Sequence, residues 1–319
     1  MISRVAESCF WLHRYLERTE NTARFLQVNQ HVSLDIELPE ADLWRPVLVV
    51  AGEEARYAAT QGERIDGDGV QEFMTWAADN PASLVGSLAQ ARENARTIRE
   101  TISLEMWQAV NTAWLWLGSR EGKRLYERDR HHFYERVKSG CWLFHGLYHT
   151  TMLFDEPYDF MRLGSLLERA DHTLRLLRAT WEATAERARA ADRPTDAPRW
   201  LATLRACSGV EPFVKRTRGT LVGSVVAGFL LHDDRFPRAV AHCLKRAELF
   251  LDRARGGADA PVGARARAAL GDYWGRVHEV DIEARDFPAQ LTALLDANAR
   301  LGQVLHEEFF DVTAQTGTA

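Results

Sequence analysis

The residues best equipped for chemistry in this 319-residue chain are carboxylates and guanidiniums spaced one helical turn apart: Glu17, Arg18, Glu20, Asn21 and Arg24. The chain writes the set again as Glu168, Arg169, Asp171, His172 and Arg175. The shared pattern is L-E-R-x-[E/D]-x-T-x-R-x-L, with six of eleven positions identical between Leu16–Leu26 and Leu167–Leu177 and a carboxylate kept where Glu20 becomes Asp171. A shorter echo, Glu93, Asn94 and Arg96, sits in Ala91-Arg92-Glu93-Asn94-Ala95-Arg96. Arginine forks beside carboxylates suit recognition of carboxylate, phosphate or amino-acid groups, because a guanidinium presents paired donors in a fixed plane.

On a helix, Glu17, Glu20, Asn21 and Arg24 fall within about 60° of one direction, opposite Leu12, Leu16, Ala23 and Leu26. Both polar stripes end in apolar or small residues, Phe10 and Val28 for the first, Met161 and Ala179 for the second. That pattern predicts a buried or half-buried Glu/Arg network, since a charge removed from water must be paired. Two roles follow. The network is an ion-pair lock fixing helix register, or it is a site for an anionic or zwitterionic ligand.

A metal site is disfavoured on sequence and none is expected. Di-iron bundles place a His three residues after a Glu, whereas His172 follows Glu168 by four and an Arg adjoins each lead carboxylate. His145 and His149 share a helical face, but no carboxylate accompanies them nearby, so they read as core or interface side chains. His131-His132 and His232-Asp233-Asp234 read as surface or loop features.

P-loop, GxGxxG, HExxH and GxSxG patterns are all missing from the sequence, so no nucleotide or hydrolase motif is expected to operate. A net charge of −5 argues against general nucleic-acid binding. Ten Trp supply large buried areas and interface material. The cysteines Cys9, Cys141, Cys207 and Cys243 lie far apart without CxxC spacing, which predicts buried thiols and a reducing, cytoplasmic setting. No signal segment is expected at the N-terminus, and no uncharged run is long enough to span a bilayer.

The elements that must position these residues are helices throughout. A first helix over residues 2–31 carries the first stripe, and a long one over 158–190 carries the second. Between them the pattern predicts a short helix over 41–51, another over 70–78, an unbroken helix over 82–117 about 50 Å long, and a returning helix over 124–153. A hinge at Asp155-Glu156-Pro157 opens the second part, and Asp192–Pro198 breaks it. Shorter helices over 199–231, then 238–255, 262–280 and 287–312, complete the chain, with 314–319 fraying. Val47-Leu48-Val49-Val50 is the one strand candidate, too short to set against its helical flanks. Asn80-Pro81 and Phe236-Pro237 are offset by 156 residues where the Glu-Arg stretches are offset by 151. The expectation is an all-α helical bundle of two similar halves, 1–155 and 156–319, with long antiparallel helices.

Ser3-Arg4-Val5-Ala6-Glu7-Ser8, Trp11, Arg14–Arg18, Glu20–Arg24, Ala91–Arg96 and Leu163–Asp171 together resemble the bacterial alpha-E family, an all-helical domain named for its Glu-Arg motif. The resemblance implies an accessory role beside circularly permuted ATP-grasp proteins of the amide-ligase type and transglutaminase-like proteins, in peptide or amino-acid modification. It carries no catalytic residues over. The leading expectation is therefore a helical accessory of an ATP-grasp ligase, without cofactor, nucleic-acid or membrane partner, and with a homo-oligomer left open. The alternative is an enzyme or ligand-binding protein whose Glu/Arg cleft takes a small amino-acid-like or peptide substrate.

Overall fold

A computed structural model describes residues 3–35, 38–189 and 196–311. Every regular element among them is helical: α1 (Ser3–Asp35), α2 (Glu40–Ala51), α3 (Glu54–Gln61), α4 (Gly67–Trp76), α5 (Leu84–Thr97), α6 (Leu104–Leu117), α7 (Arg120–Arg128), α8 (Arg130–Thr151), α9 (Glu156–Arg189), α10 (Ala197–Ala206), α11 (Val210–Thr217), α12 (Gly223–His232), α13 (Val240–Arg255), α14 (Ala264–Glu279) and α15 (Phe287–Leu305), which ends in a π-helical turn, His306–Phe310. The all-α expectation holds, and the strand candidate Val47–Val50 lies inside α2 with Val47, Leu48 and Val50 buried. The expected tail over 314–319 and most of the break after Asp192 lie outside the described residues.

The predicted 82–117 helix is two helices. Ser103 ends the continuity: its backbone is extended and its hydroxyl accepts from the Met106 amide, which caps α6. The β-branched run around Thr97-Ile98 and Thr101-Ile102 weakens helix on the other side of the break. The chain folds back there, and α6 packs on both α5 and α8.

Contacts divide the chain into one unit of Tyr15–Leu153 and one of Met1–Arg14 with Phe154–Ala319, so the first fourteen residues group with the later sequence. In the first unit, α1 is tied to α8 through Gln27, whose amide donates to Glu135 at 2.9 Å and accepts from Lys138 at 2.7 Å. Asn29 donates to the Leu43 carbonyl at 2.8 Å, which fixes α2 against α1. In the second unit, α9 packs on α13 and α15, and α14 packs on the same two helices. Gly164 lets α9 pass the start of α1 closely, since a Cβ there would stand 2.1 Å from the Phe10 carbonyl oxygen. At the far end, the π-turn places Phe309 and Phe310 on the ring of Phe160, at 5.2 and 5.8 Å between centroids.

Several local arrangements recur 156 residues apart, each within its own unit. Trp44 covers Gly67 where Trp200 covers Gly223, with an added Cβ meeting the indole at 2.7 and 2.9 Å respectively. Tyr57 meets Phe73 edge-on at 5.3 Å, as Phe213 meets Phe229 at 5.5 Å. Ser87 donates to the Pro81 carbonyl at 2.9 Å, and Cys243 donates to the Pro237 carbonyl at 3.5 Å.

Near the start of α9, Asp159 is buried beside Arg253 at 3.2 Å. Burial pushes its carboxyl up to about 6, against the pull of the Arg253 guanidinium. The folded chain thus holds a proton that the unfolded chain releases near its ordinary value of 3.8. This residue's contribution to stability is greatest below that value and is lost as pH rises through about 6. Melting curves of Asp159→Asn against the parent should therefore show the variant gaining on the parent as pH rises from about 4 to about 7. A pH-independent difference would show that the carboxyl titrates normally.

Candidate functional site

Helix α1 is apolar on one face, where Leu12, Leu16, Ala23 and Leu26 are all buried, yet its polar stripe is buried too. Glu17 is 0% exposed, Glu20 2%, Asn21 1% and Arg24 8%. A solvated helix face is excluded for these four. The network expected from the stripe exists, and the side chains that complete it come from α8.

Glu17 and Glu20 sit one turn apart and both turn a carboxylate oxygen toward His145. Its Nε2 lies 3.4 Å from Glu20 Oε2 and 3.9 Å from Glu17 Oε2. The other oxygen of Glu20, Oε1, accepts from the Trp142 indole N–H at 3.0 Å and from the Arg24 guanidinium. Trp142 is 44% exposed and has two cations near its ring, with Arg24 5.8 Å and Lys138 5.3 Å from its centre. Such contacts hold the ring and both charges in place. Cys141 lies one turn before His145, and its thiol is pushed well above the ordinary range by burial and then by the charges of Glu20 and Glu17. Arg18 stays half-buried over the Tyr15 ring at 5.5 Å.

The other predicted residues form separate arrangements. Glu168 is buried and accepts from Arg14 Nε at 2.6 Å. Asp171 pairs with Arg175 at 2.6 Å and accepts from Asn298 at 3.3 Å. Arg169 reaches the Pro237 carbonyl at 3.4 Å, and His172 is half-buried. Glu93 does not join a buried network: it is a surface residue paired with Arg96 at 2.9 Å and Arg92 at 3.3 Å, while Asn94 donates to the Gln90 carbonyl of its own helix. The reason is rotational. In α5 the buried face is Leu84, Leu88, Ala91 and Ala95, which turns Glu93 and Arg96 outward.

Sequence reasoning placed His145 and His149 together, and the structure separates them: His145 joins the carboxylates and His149 is exposed. Trp142 was not singled out at all. The one available signal was its position three residues before His145, on the same α8 face. Asp233, read as a loop feature, is a buried anchor that accepts from the Arg235 and Phe236 amides and pairs with Arg216 at 2.7 Å. Burial works to raise its carboxyl, but these contacts outweigh it and hold it below the ordinary range. The expectation for the thiols stands, with all four cysteines buried and free.

A separate cavity of about 400 Å³ opens in the same unit, bounded by Leu16 and Thr19 of α1, Leu88 of α5, Val110 and Trp116 of α6 and Cys141 of α8. It is mainly apolar, and Glu17, Glu20 and His145 do not line it.

The profile of the Alpha-E family, described as a predicted alpha-helical domain with a conserved ER motif, matches residues 1–310. The chain belongs to the Alpha-E family. Relatives of this Alpha-E chain include uncharacterized proteins of Mycobacterium bovis and Mycobacterium tuberculosis, each 26% identical over 312 residues. The match covers 92% of the chain but 35% of those relatives, so the chain spans about a third of their length. No solved structure matches this Alpha-E sequence. Among its described residues no helix is long and apolar enough to cross a membrane.

Proposed function

We propose that the chain binds a small amino-acid-like or peptide substrate at the Glu17, Glu20, Arg24, Trp142 and His145 cluster. The observation that carries this reading is the near-complete burial of two carboxylates on one turn of α1, both facing a single imidazole. Burying a carboxylate costs several kcal/mol, and an apolar pair would hold two helices together as well or better. A cluster kept at that cost supports a chemical use. Glu17 and Glu20 suit a ligand ammonium, Arg24 suits a carboxylate, and half-exposed Trp142 offers an aromatic wall at the rim.

The test is a thermal-shift screen of amino acids and dipeptides against the parent and Glu17→Gln. A ligand present at 100 times its dissociation constant adds about 2.7 kcal/mol to the parent, and this gain should vanish in the variant. If no compound shifts the parent, or if Glu17→Gln melts lower yet keeps the full ligand shift, the cluster is a structural lock.

A second reading is favoured by the length of the relatives. Because they extend well beyond the matched region, that region works there as part of a larger protein. This supports an accessory role for the chain, with an ATP-grasp ligase or a transglutaminase-like protein as partner. Co-purification with a neighbouring ligase and a change in its rate would support that role. Absence of both would remove it. The contacts recurring at a 156-residue offset support an origin as two similar halves, and the four buried free thiols suit a reducing, cytoplasmic compartment.

A further inference from the structure

We propose that Glu17, Glu20 and His145 bind a divalent first-row transition cation, with zinc as the reference ion. The inference rests on the reading above and deepens it: with the cation bound, Glu17, Glu20 and His145 hold the ion, and the substrate's amine or carboxylate meets the ion in place of those side chains.

Three donor atoms, two carboxylate oxygens and one imidazole nitrogen, all lie within 4.8 Å of one another. Ligands bound at about 2.0–2.2 Å around one ion stand roughly 3–3.5 Å apart. The 3.4 and 3.9 Å separations from Nε2 to the two carboxylates are close to that edge length and need only small side-chain adjustments. The donors are of two chemical kinds and come from two helices: an i,i+3 carboxylate pair on α1 and an imidazole on α8. Side chains converging from facing helices are how bundles build metal centres. Mixed carboxylate and imidazole donors suit zinc and its neighbours better than calcium or magnesium, which take oxygen alone.

An independent observation concerns orientation. Glu20 Oε1 is held by the Trp142 indole and by Arg24, and this aims Oε2 at His145. Such outer contacts are what align metal ligands. They also answer the objection that Arg24 would repel a cation, since its guanidinium sits on the oxygen turned away from the imidazole. Three protein donors leave coordination positions open, as catalytic zinc sites do. A ligand carboxylate or amine could occupy one of them.

The experiment uses the full chain freed of any affinity tag, stripped with chelator and dialysed against a slight excess of zinc. Metal analysis should find a single tight equivalent, and cobalt in its place should give visible d–d bands. His145→Gln should lose the tight equivalent, Trp142→Phe should weaken it about 10-fold by releasing Glu20, and His149→Gln, altering an exposed histidine, should leave it intact. Failure of the parent to retain zinc, or equal retention by His145→Gln, overturns the assignment. Should His145→Gln fail to fold, the ring nitrogen resonances of the parent decide: a zinc-induced shift at His145 Nε2 supports the site, and its absence overturns it. Metal content is read without any organic ligand. A chain that binds an amino acid but no zinc would therefore sink the cation alone, and one that binds zinc but no amino acid would sink the substrate reading alone.

Discussion

Gly164→Ala is expected to lower the free energy of unfolding by about 3 kcal/mol, the upper range for forcing added volume into a packed site. The added Cβ would meet the Phe10 carbonyl oxygen at 2.1 Å and its carbon at 3.0 Å. Both are backbone atoms, so no side-chain rotation relieves the overlap, and either the first turns of α1 or the α9 axis must move. Phe10 is itself buried against Phe310 at 5.5 Å, which makes the shift on the α1 side costly. Gly146→Ala in α8 is the matched control, because its Cβ would meet nothing within 4 Å. Replacing an interior helical glycine at an open position should stabilise by about 0.5–1 kcal/mol. Denaturant midpoints measure both. Equal effects in the same direction would mean that α1 and α9 do not approach as described.

The second large effect is expected at the Arg14–Glu168 pair. Their side chains are 12% and 6% exposed and 2.6 Å apart. Removing one member of a buried pair leaves the other charged and poorly solvated, at a cost of about 3–5 kcal/mol. Arg14→Ala and Glu168→Ala should each pay it, and the double variant should cost less than the two together, the mark of coupled residues. Arg14→Met with Glu168→Leu should recover much of the loss, since an apolar pair of similar volume does not require desolvating charge. Additive losses of under about 1 kcal/mol each would describe a solvated pair.

The polar stripe of α1 was legible from its sequence because periodicity reports which residues share a face, and apolar ends to a charged stripe report that the face is covered. What covers it was not legible. His145 lies well over a hundred residues from Glu17, and nothing local to either residue encodes that meeting. The same limit applies to Glu93 and Arg96: their letters echo those of α1, but the buried face of α5 points the other way. The division between α5 and α6 escaped notice because a serine cap preceding a good helical sequence does not announce itself when the sequence before it is helical as well. The purpose of Gly164 emerges only from the neighbouring backbone of Phe10.

The placement of Trp142 has an optical consequence. Its indole donates to a buried carboxylate, its face lies near two cations, and nearly half of it meets solvent. The energy of an indole's excited state follows the local field, so the emission of this one residue should follow the charge held by Glu20. Anything that neutralises that carboxylate, whether a proton, an ammonium group or a metal ion, should change the colour and yield of its fluorescence. The difference between the parent and Trp142→Phe isolates that signal from the other nine tryptophans. The chain thus carries a built-in dye at the rim of a charged interior cluster.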